Sequence, residues 1–266
     1  MAMNMPPQVF LSMPVQQAAA AQQLGAFHKS YKVNIFNSIV GIVVSVAVGF
    51  FFVVAAFGSG DSEAMAVELV LALIFFILAA FLIYAFVKAS GRQIHLFQQG
   101  LVIEQRDQIQ VFPWNQAAEV WQSIVRRYRY GIYVGTSYKY TLRRVDGYQI
   151  KLNNMTKGIE ELGAAVSKGV TQELVPRAMY SIRSGQTLTF AQFSINQQGI
   201  GNGHEFIPWL QVEAVNVNRG RLSVKRAGKF LNWSSAMVAG IPNFFVFLAV
   251  AEEMIRQTHS GRQGYY

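Results

Sequence analysis

Two long uncharged stretches dominate the first third of the chain. Residues 33–57 contain no charged side chain, and residues 69–87 form a second run of the same kind. At a rise of about 1.5 Å per residue, each run is long enough as a helix to cross a hydrocarbon core of about 30 Å. The polar segment 58–63 between them is typical of a turn. The pattern therefore predicts a transmembrane helical hairpin within residues 28–92.

The basic residues around these runs predict an orientation. Lys29 and Lys32 precede the first run, Lys88 and Arg92 follow the second, and the turn has no basic residue. Since Lys and Arg close to span ends are retained on the cytoplasmic side, both termini are expected in the cytoplasm. The competing interpretation is a cleaved signal peptide, but its apolar region is shorter and a second span follows here. Glu68 lies close to the outer turn, where we expect water to reach it.

After the hairpin, short apolar runs alternate with turn residues, a pattern typical of an antiparallel meander. The predicted strands are 94–97, 101–104, 109–112, 120–130, 138–144 and 148–152. Apolar residues then recur every three or four positions from Ile159 to Ala178, which predicts an amphipathic helix. Pro176 is expected to kink or end this helix near Val175.

The same order of elements occurs a second time. The tripeptide Gln-Gln-Gly stands at 98–100 and 197–199, and Pro-Trp follows at 113–114 and 208–209. The second set of predicted strands is 187–195, 204–207, 211–217, 221–225 and 230–233, with a helix from Pro242. Two copies of one β-rich module are therefore predicted. We expect Trp114 and Trp209 to pack in the two cores, and Gly100 and Gly199 to occupy tight turns with positive φ.

Curled antiparallel strands followed by one apolar-faced helix describe a small open barrel that the helix plugs, which is the plan of a pleckstrin-homology-like (PH-like) module. The predicted fold class is α+β, with the membrane hairpin followed by two tandem PH-like modules at 93–183 and 184–258. Flexible tails are expected at 1–27 and 259–266. A two-layer α+β domain of unrelated topology is the alternative.

Composition agrees with a membrane protein and narrows the chemistry. Hydrophobic residues make up 52% of the chain and charged residues only 14%, which is too apolar for an ordinary soluble protein. The absence of cysteine excludes disulfides, thiolate metal sites and cysteine nucleophiles. The net charge of +9 comes almost entirely from the residues after the hairpin. A basic region beside a membrane favours anionic headgroups over nucleic acid as its partner.

A cluster of basic residues on two neighbouring predicted strands is the candidate binding site. If residues 131–135 connect these strands as a hairpin, the cations form one surface for anionic phospholipid headgroups or a protein partner. The alternatives are a solvated sheet face whose arginine stems cover tyrosines, and nucleic-acid binding by stacking on the tyrosines. The candidate residues are Arg126, Arg127, Arg129, Lys139, Arg143 and Arg144.

Catalytic patterns are weak. The histidines, at positions 28, 95, 204 and 259, have no second ligand at metal spacing, so no metal site and no cofactor is predicted. The acidic pairs Glu160-Glu161 and Glu252-Glu253 are interpreted as solvated helix faces. No nucleophile elbow accompanies a Ser/His/Asp order. We therefore expect a protein that is not an enzyme, with a membrane-bound enzyme acting on a lipid or envelope substrate as the alternative.

Several short motifs resemble an uncharacterised bacterial family of membrane proteins, a domain of unknown function. The matching motifs include Trp121-Gln122-Ser123, Arg127-Tyr128, Gly131-Ile132-Tyr133, Tyr140-Thr141-Leu142-Arg143-Arg144, Asp146-Gly147 and Ile241-Pro242-Asn243. The resemblance covers about residues 24–256 and implies an integral membrane protein of the bacterial plasma membrane with a cytoplasmic PH-like region. It brings no activity and no functional residues. The expected function is that of a scaffold or adaptor that binds anionic lipid or a protein partner.

Overall fold

The computed structural model describes residues 11–34, 36–58, 60–106 and 108–260. Helices and antiparallel sheets are both present, which confirms a mixed α and β fold. The helices are α1 (Met13–Ala21), α2 (Phe36–Gly58), α3 (Ser62–Ala89), α4 (Ile159–Arg183) and α5 (Phe244–Ser260). The strands of the first copy are β1 (Phe27–Lys32), β2 (Arg92–Phe97), β3 (Gly100–Gln105), β4 (Gln108–Pro113), β5 (Ala117–Arg129), β6 (Ile132–Arg144) and β7 (Gln149–Asn153). Those of the second copy are β8 (Leu188–Phe190), β9 (Phe193–Ile195), β10 (Gly199–Gly201), β11 (Phe206–Pro208), β12 (Val212–Asn218), β13 (Arg221–Arg226) and β14 (Asn232–Met237).

Helices α2 and α3 form an antiparallel pair in which Phe52 stacks on Phe75 with ring centroids 5.9 Å apart. Both helices are long and apolar enough to cross a membrane, over Ser38–Gly58 and Ser62–Lys88. Only 17% and 11% of their most apolar windows are buried by the rest of the protein. Most of this apolar surface therefore faces outward, unlike that of a core helix in a soluble protein.

The second apolar helix begins earlier than the predicted span. Asp61 accepts a hydrogen bond from the Glu63 backbone N–H and so caps α3 at Ser62. Glu68 consequently lies inside the helix, and its Oε2 atom is buried with no hydrogen-bond partner in the described part of the chain. Within the protein, this oxygen therefore does not have the water access that we expected for Glu68.

The apolar helix pair connects two neighbouring strands of one sheet. β1 pairs with β2 in an antiparallel register that places Lys32 opposite Gln93. The sequence did not predict β1, because a mostly polar hexapeptide beside a long apolar run gives no strand signal of its own. In this hexapeptide only Tyr31 is fully buried.

Each copy contains a four-stranded sheet, a three-stranded sheet and a helix. The first copy has the orders β1-β2-β3-β4 and β5-β6-β7 with α4, and the second has β8-β9-β10-β11 and β12-β13-β14 with α5. None of these sheets closes into a barrel within the described residues. The predicted continuous meander is broken after β4 and after β11, where a short 3-10 turn begins at Trp114 and at Trp209.

The two tryptophans have equivalent surroundings. The indole Nε1 of Trp114 donates to the Gln98 carbonyl at 3.1 Å, and that of Trp209 donates to the Asn196 carbonyl at 3.0 Å. Each ring is only 2% exposed, which confirms the prediction of core packing. Their repeated partner is the turn of the preceding β-hairpin, so the Pro-Trp motif fixes that turn against the core of its own copy.

The two repeated glycines are needed for a reason other than the predicted one. Neither Gly100 nor Gly199 has a positive φ, so that prediction is wrong. A Cβ atom at Gly100 would lie 2.7 Å from the Phe112 carbonyl oxygen, and one at Gly199 would lie 2.1 Å from that of Ile207. Close approach of the neighbouring strand therefore excludes a side chain at both positions.

Helix α4 belongs to both copies. It continues through Pro176 to Arg183, so of the two predicted outcomes, a kink or an end near Val175, the end is wrong. Leu162 and Val166 in its first half pack in the core of the first copy, whereas Met179 and Ile182 pack in the core of the second. Burial of its last turns in the second core offsets the cost of about 3 kcal/mol that proline imposes on a helix interior.

A hydrogen-bonded contact also joins the copies. Asn243, just before α5, donates its backbone N–H to the Val120 carbonyl at 2.8 Å and accepts the Val120 N–H on Oδ1 at 2.9 Å. Its Nδ2 donates to the Ala118 carbonyl at 2.7 Å. Asn243 has a φ of +50°, which asparagine tolerates better than most residues. The side chain thus extends the ladder of β5 into the second copy.

The described part of the predicted N-terminal tail is ordered. Val15 and Ala19 lie one turn apart on α1 and are buried, with Leu24, against Phe97 and Val102 of the first sheet. The sequence did not predict this helix face, because it consists of only two apolar positions in a segment of low apolar density. Residues 1–10 and 261–266 of the predicted tails lie outside the described residues, and α5 extends through residues 259 and 260.

Candidate binding surface on the β5–β6 hairpin

The longest strands of the protein form one hairpin. β5 and β6 have 13 residues each and pair as far as Arg129 opposite Ile132. β7 covers β6 only between Lys139 and Arg143, so the outer half has no third strand beside it. We call this outer half, residues 124–138, the arm. Tyr130 and Gly131 form its turn with φ values of +50° and +80°, which makes the connection shorter than the predicted residues 131–135.

The six candidate basic residues do not share one surface. Successive side chains of a strand point to opposite faces. Arg126 lines a groove on the face that meets α4, whereas Arg127 and Lys139 line a cavity on the other face. Arg143 and Arg144 lie at the base of the hairpin, where Arg143 opposes Glu119 in the ladder. The two strands pair as predicted, but the alternation of side chains between the two faces of the hairpin divides the predicted cluster of basic residues.

The two basal arginines have internal partners. Arg143 forms an ion pair with Glu119 and lies over the Trp121 ring at 5.4 Å. Arg144 donates from Nη1 to the Val111 carbonyl at 2.9 Å and from Nε to Asp146 at 2.9 Å. The bonds from Arg144 hold the pKa of Asp146 at about 2, well below its usual value. These arginines therefore join β6 to β5 and β4, and their charges are paired within the protein.

Three arginines remain on or beside the arm turn. Within the described residues, Arg126, Arg127 and Arg129 form no ion pair. Arg127 donates to the Ser137 hydroxyl at 2.9 Å, and the Arg129 guanidinium lies 5.8 Å from the Tyr130 ring centroid. This end of the hairpin therefore carries three positive charges with no ion-pair partner among the described residues, and the nearest acidic residue in the groove of Arg126 is Glu160.

A groove of about 690 Å³ runs between the arm and α4. Tyrosine rings form much of its wall, with Tyr128 and Tyr133 in an edge-to-face pair at 5.8 Å. The Tyr133 hydroxyl also shares a hydrogen bond of 2.7 Å with Thr136. The remaining lining residues are Gln122, Ile124, Arg126, Tyr138, Tyr140, Glu160, Ala164, Ser167 and Phe245. Such a mixed aromatic and polar wall suits an amphipathic ligand.

Two tyrosines of the groove, Tyr138 and Tyr140, have raised pKa values. Burial, followed by interaction with the Glu160 carboxylate, raises the pKa of Tyr138. Burial also raises the pKa of Tyr140, with smaller contributions from Tyr138 and Glu160. Both side chains therefore retain a hydroxyl proton at physiological pH. Glu160 is exposed on α4, as expected for a solvated helix face, and it also lines the groove.

The inner end of the groove depends on a glycine of α4. A Cβ atom at Gly163 would lie 2.1 Å from Cζ of Tyr140, so the tyrosine ring rests directly on the helix backbone. Tyr140 is 3% exposed and belongs to the first core. The arm is thus fixed to α4 at its base, while its outer end projects freely.

A serine, a histidine and a glutamate come together elsewhere, on the outer face of the first sheet. The Ser30 hydroxyl lies 2.7 Å from Nδ1 of His95, and Nε2 of His95 lies 3.2 Å from Glu104. The order resembles that of a hydrolase triad. However, His95 is only 3% exposed, and Ser12 at the start of α1 donates to the same carboxylate at 2.8 Å. Burial lowers the pKa of His95, which favours a neutral imidazole in a network that holds α1 on the sheet.

The sequence pattern could not assemble this network, because Ser30 lies on the unpredicted strand β1, before the apolar helices. The sequence did contain part of this signal. Pairing of the predicted strands 94–97 and 101–104 as a hairpin brings the strand of His95 beside the strand of Glu104. In the described residues, no group of three metal-ligating side chains comes together.

Comparison with known proteins places the chain in a family. The model of DUF6585, a family of unknown function, matches residues 3–260. The chain belongs to this family. The match covers both the apolar helices and the two copies of the β-rich module, and it confirms the resemblance to an uncharacterised family. No curated protein matches the chain significantly.

Proposed function

We propose that this member of DUF6585 is a membrane-anchored scaffold or adaptor without catalytic activity. The helix pair crosses a bacterial plasma membrane twice and holds two tandem PH-like modules at its cytoplasmic face. There they bind anionic lipid headgroups or a protein partner. The observation that carries this proposal is the place of the helix pair, between the adjacent strands β1 and β2 of the first module.

That position favours a retained anchor over a signal peptide. Cleavage after α2 would remove β1 together with the apolar helix and leave β2 without one of its neighbours. It would also remove Tyr31 from the first core. A segment whose two ends are both built into one sheet is suited to remain part of the mature protein.

The PH-like assignment is supported by the repeated arrangement. Twice, a four-stranded antiparallel sheet is followed by a three-stranded one and then by a helix whose apolar face enters the core between them. Each copy has seven strands where the sequence predicted six and five, and the sheets do not close, so the support comes from the repeated order of sheets and helix.

The orientation is supported by the basic residues at the protein end of the helices. Lys29, Lys32, Lys88 and Arg92 flank the apolar segments on this side. The structure adds Arg106, whose Nη2 donates to the Val87 carbonyl near the end of α3 at 2.7 Å. The excess of Lys and Arg near the span ends favours the cytoplasmic side for both modules.

The alternative of a membrane-bound enzyme acting on a lipid or envelope substrate is less well supported. The hydrogen-bonded network of Ser30, His95 and Glu104 lies beneath α1, away from the groove. The groove itself is lined by phenols, one arginine and one glutamate, but by none of the three residues of this network. A binding role, unlike an enzymatic one, does not require the network to reach the groove.

Cysteine labelling tests the proposed topology, since the chain has no cysteine of its own. Gly60→Cys places a thiol in the turn between α2 and α3, and Gln186→Cys places one in an exposed loop between the modules. In intact cells, a membrane-impermeant maleimide should label the first variant and not the second. Labelling of both positions only after permeabilisation, or of Gln186→Cys from outside, would contradict the proposal.

A further inference from the structure

We propose that the end of the arm contacts the anionic surface of the same bilayer that holds the helix pair. Arg126, Arg127 and Arg129 would bind lipid phosphates, and the aromatic and aliphatic side chains around the turn would enter the headgroup region. This inference rests on the proposed membrane anchoring and assigns the ligand. It gives the first module a third attachment point besides its two connections to the helices.

The arm begins where the chain enters the membrane helices. Val33 forms a β-bridge with Thr156, and the Asn34 backbone N–H donates to the Met155 carbonyl at 2.5 Å. Met155 also lines a cavity of about 330 Å³ together with Phe81 and Tyr84 of α3. Residues 153–156 therefore lie at the end of the apolar helices, at the level of the bilayer surface.

The same segment holds the arm. Oδ1 of Asn154 accepts the Tyr138 backbone N–H at 2.6 Å, and its Nδ2 donates to the Thr136 carbonyl at 2.7 Å. From Thr136 the strand runs five residues to the turn at Gly131, or about 16 Å at roughly 3.3 Å per residue. The arm is therefore attached at the bilayer surface and long enough to extend along or into the headgroup layer.

Charge and exposure at the turn fit this surface. The three arginines have no acidic partner in the described residues, as shown above, and a basic residue close to an anionic leaflet contributes about 1 kcal/mol. Tyr130 is 93% exposed, Ile132 70% and Tyr128 60%. Tyrosine is enriched at membrane interfaces, where its ring contacts lipid and its hydroxyl contacts water. Exposed apolar rings between unpaired cations are costly in water and stable at a charged bilayer surface.

The second module has no equivalent of the arm. Its equivalent hairpin, β12–β13, has strands of seven and six residues and turns at Arg219 and Gly220 without an aromatic residue. Only the module into which the membrane helices are inserted has the long hairpin. Length and aromatic residues thus coincide in the copy that lies beside the bilayer.

The test uses the full chain in lipid nanodiscs and an environment-sensitive fluorophore on a single cysteine. Ile132→Cys places the probe at the end of the arm, and Asn218→Cys places the matched control at the end of the β12–β13 hairpin. Spin-labelled headgroups should quench the arm probe several-fold more in discs containing phosphatidylglycerol than in discs of phosphatidylcholine alone. The control probe should remain unquenched in both. Raising the salt should weaken the quenching, because the Debye length falls from about 10 Å at 0.1 M to about 3 Å at 1 M.

Removal of the three charges tests whether the arginines make the contact with lipid. The triple change Arg126→Gln, Arg127→Gln and Arg129→Gln should shift the equilibrium from contact to release by about fivefold per arginine. Its control removes the same charge from the second module through Arg219→Gln, Arg221→Gln and Lys229→Gln, and should have no effect on quenching. Circular dichroism verifies that both variants fold. Tyr130→Ser provides an independent variant that keeps the charge and should also reduce quenching.

Equal quenching in the two kinds of disc, or an unquenched arm probe in a chain that is inserted in the disc, would overturn the lipid contact. If the unquenched arm crosslinked instead to a protein in native membranes, the occupant would be a protein and the inference would likewise fail. Either result leaves the membrane anchor intact. Failure of the chain to insert, with Gly60→Cys and Gln186→Cys labelled equally from both sides, would instead contradict the proposed function.

Discussion

The two copies of the β-rich module differ most at the connection between their first two strands. In the second copy, Ala191 and Gln192 join β8 to β9. In the first copy, residues 33–91 with both apolar helices join β1 to β2. Yet the strands pair in the same way, and Tyr31 opposes Ile94 as Phe190 opposes Phe193. The module therefore accepts a long apolar helical hairpin in place of a two-residue turn.

The geometry of the two motifs explains this tolerance. Adjacent antiparallel strands end about 5 Å apart, and two packed antiparallel helices lie about 8–10 Å apart. A helical hairpin can thus begin and end on neighbouring strands with few connecting residues. The short linkers leave the first module little freedom relative to the helices, whereas the second module is attached to the first through α4, through Asn243 and through packing of residues 238–240 against β5.

The largest expected effect comes from making the first copy resemble the second. Replacing residues 34–91 by Asn-Gly would join Val33 to Arg92 through a two-residue turn, which this dipeptide favours. We expect a folded protein that stays soluble without detergent, measured by sedimentation and circular dichroism. A matched deletion of residues 11–91 also removes β1 and Tyr31 and should aggregate. Equal behaviour of the two deletions would show that β1 is not a necessary part of the module.

The paired tryptophans test whether the two cores are equivalent. Trp114→Ala and Trp209→Ala should each lower the free energy of unfolding of their own module by about 3–5 kcal/mol, because each removes a buried ring. Hydrogen exchange read separately from peptides of each module measures this. Phe230→Ala, at a residue 98% exposed, should change stability by no more than about 0.5 kcal/mol. A loss confined to one tryptophan variant would contradict the equivalence of the copies.

The contact between the copies should break at a single residue. Asn243→Ala leaves the Val120 N–H without its partner and places alanine, which tolerates positive φ less well than asparagine, at φ +50°, at an expected cost of about 2–4 kcal/mol. Limited proteolysis should then release the modules from each other. Asn243→Gly relieves the backbone strain but not the lost side-chain bonds, so it should have an intermediate effect. If glycine restored the parent behaviour, the side-chain bonds would not matter.

The smallest effect concerns the ionisation of one buried residue. Burial, followed by the Glu161 carboxylate, raises the pKa of Tyr31 to about 12, whereas Phe190 at the equivalent place has nothing to ionise. Because the folded pKa is raised, this contribution to stability is complete below pH 10 and is lost as the pH rises towards 12. Tyr31→Phe should change stability at pH 7 by no more than about 1 kcal/mol. Urea midpoints of the variant should fall less than those of the parent between pH 10 and 12, and equal losses would contradict this assignment.

Much of the architecture could be predicted because its signals are local. The apolar runs gave the two long helices, and alternation with turn residues gave most strands of both copies to within a few residues. The Gln-Gln-Gly and Pro-Trp motifs gave the repeat and the buried tryptophans. Missing were β1 and α1, whose hydrophobic faces are too small to stand out, and β10, two of whose three residues are glycines. The predicted single strand 187–195 is wrong, because a turn divides it into β8 and β9. The continuation of α4 past Pro176 to Arg183 depends on the second core.

The candidate site was predicted less well, for a reason that lies in strand geometry. Clustering along the sequence suggested one basic surface, but alternation places Arg126 and Arg127 on opposite faces. Ion pairs with Glu119 and Asp146 then occupy Arg143 and Arg144. Which cations remain unpaired depends on acidic residues that the fold brings to them.

The sequence by itself determined that the chain has two long apolar helices and a duplicated β-rich module, and that most of the positive charge follows these helices. These properties follow from local composition and periodicity, which need no knowledge of distant contacts. Only the tertiary structure decided that the helices interrupt the first module instead of preceding it. Pairing of β1 with β2 joins residues on either side of the helix pair, and such pairing depends on the geometry of strand ends and on burial in a shared core.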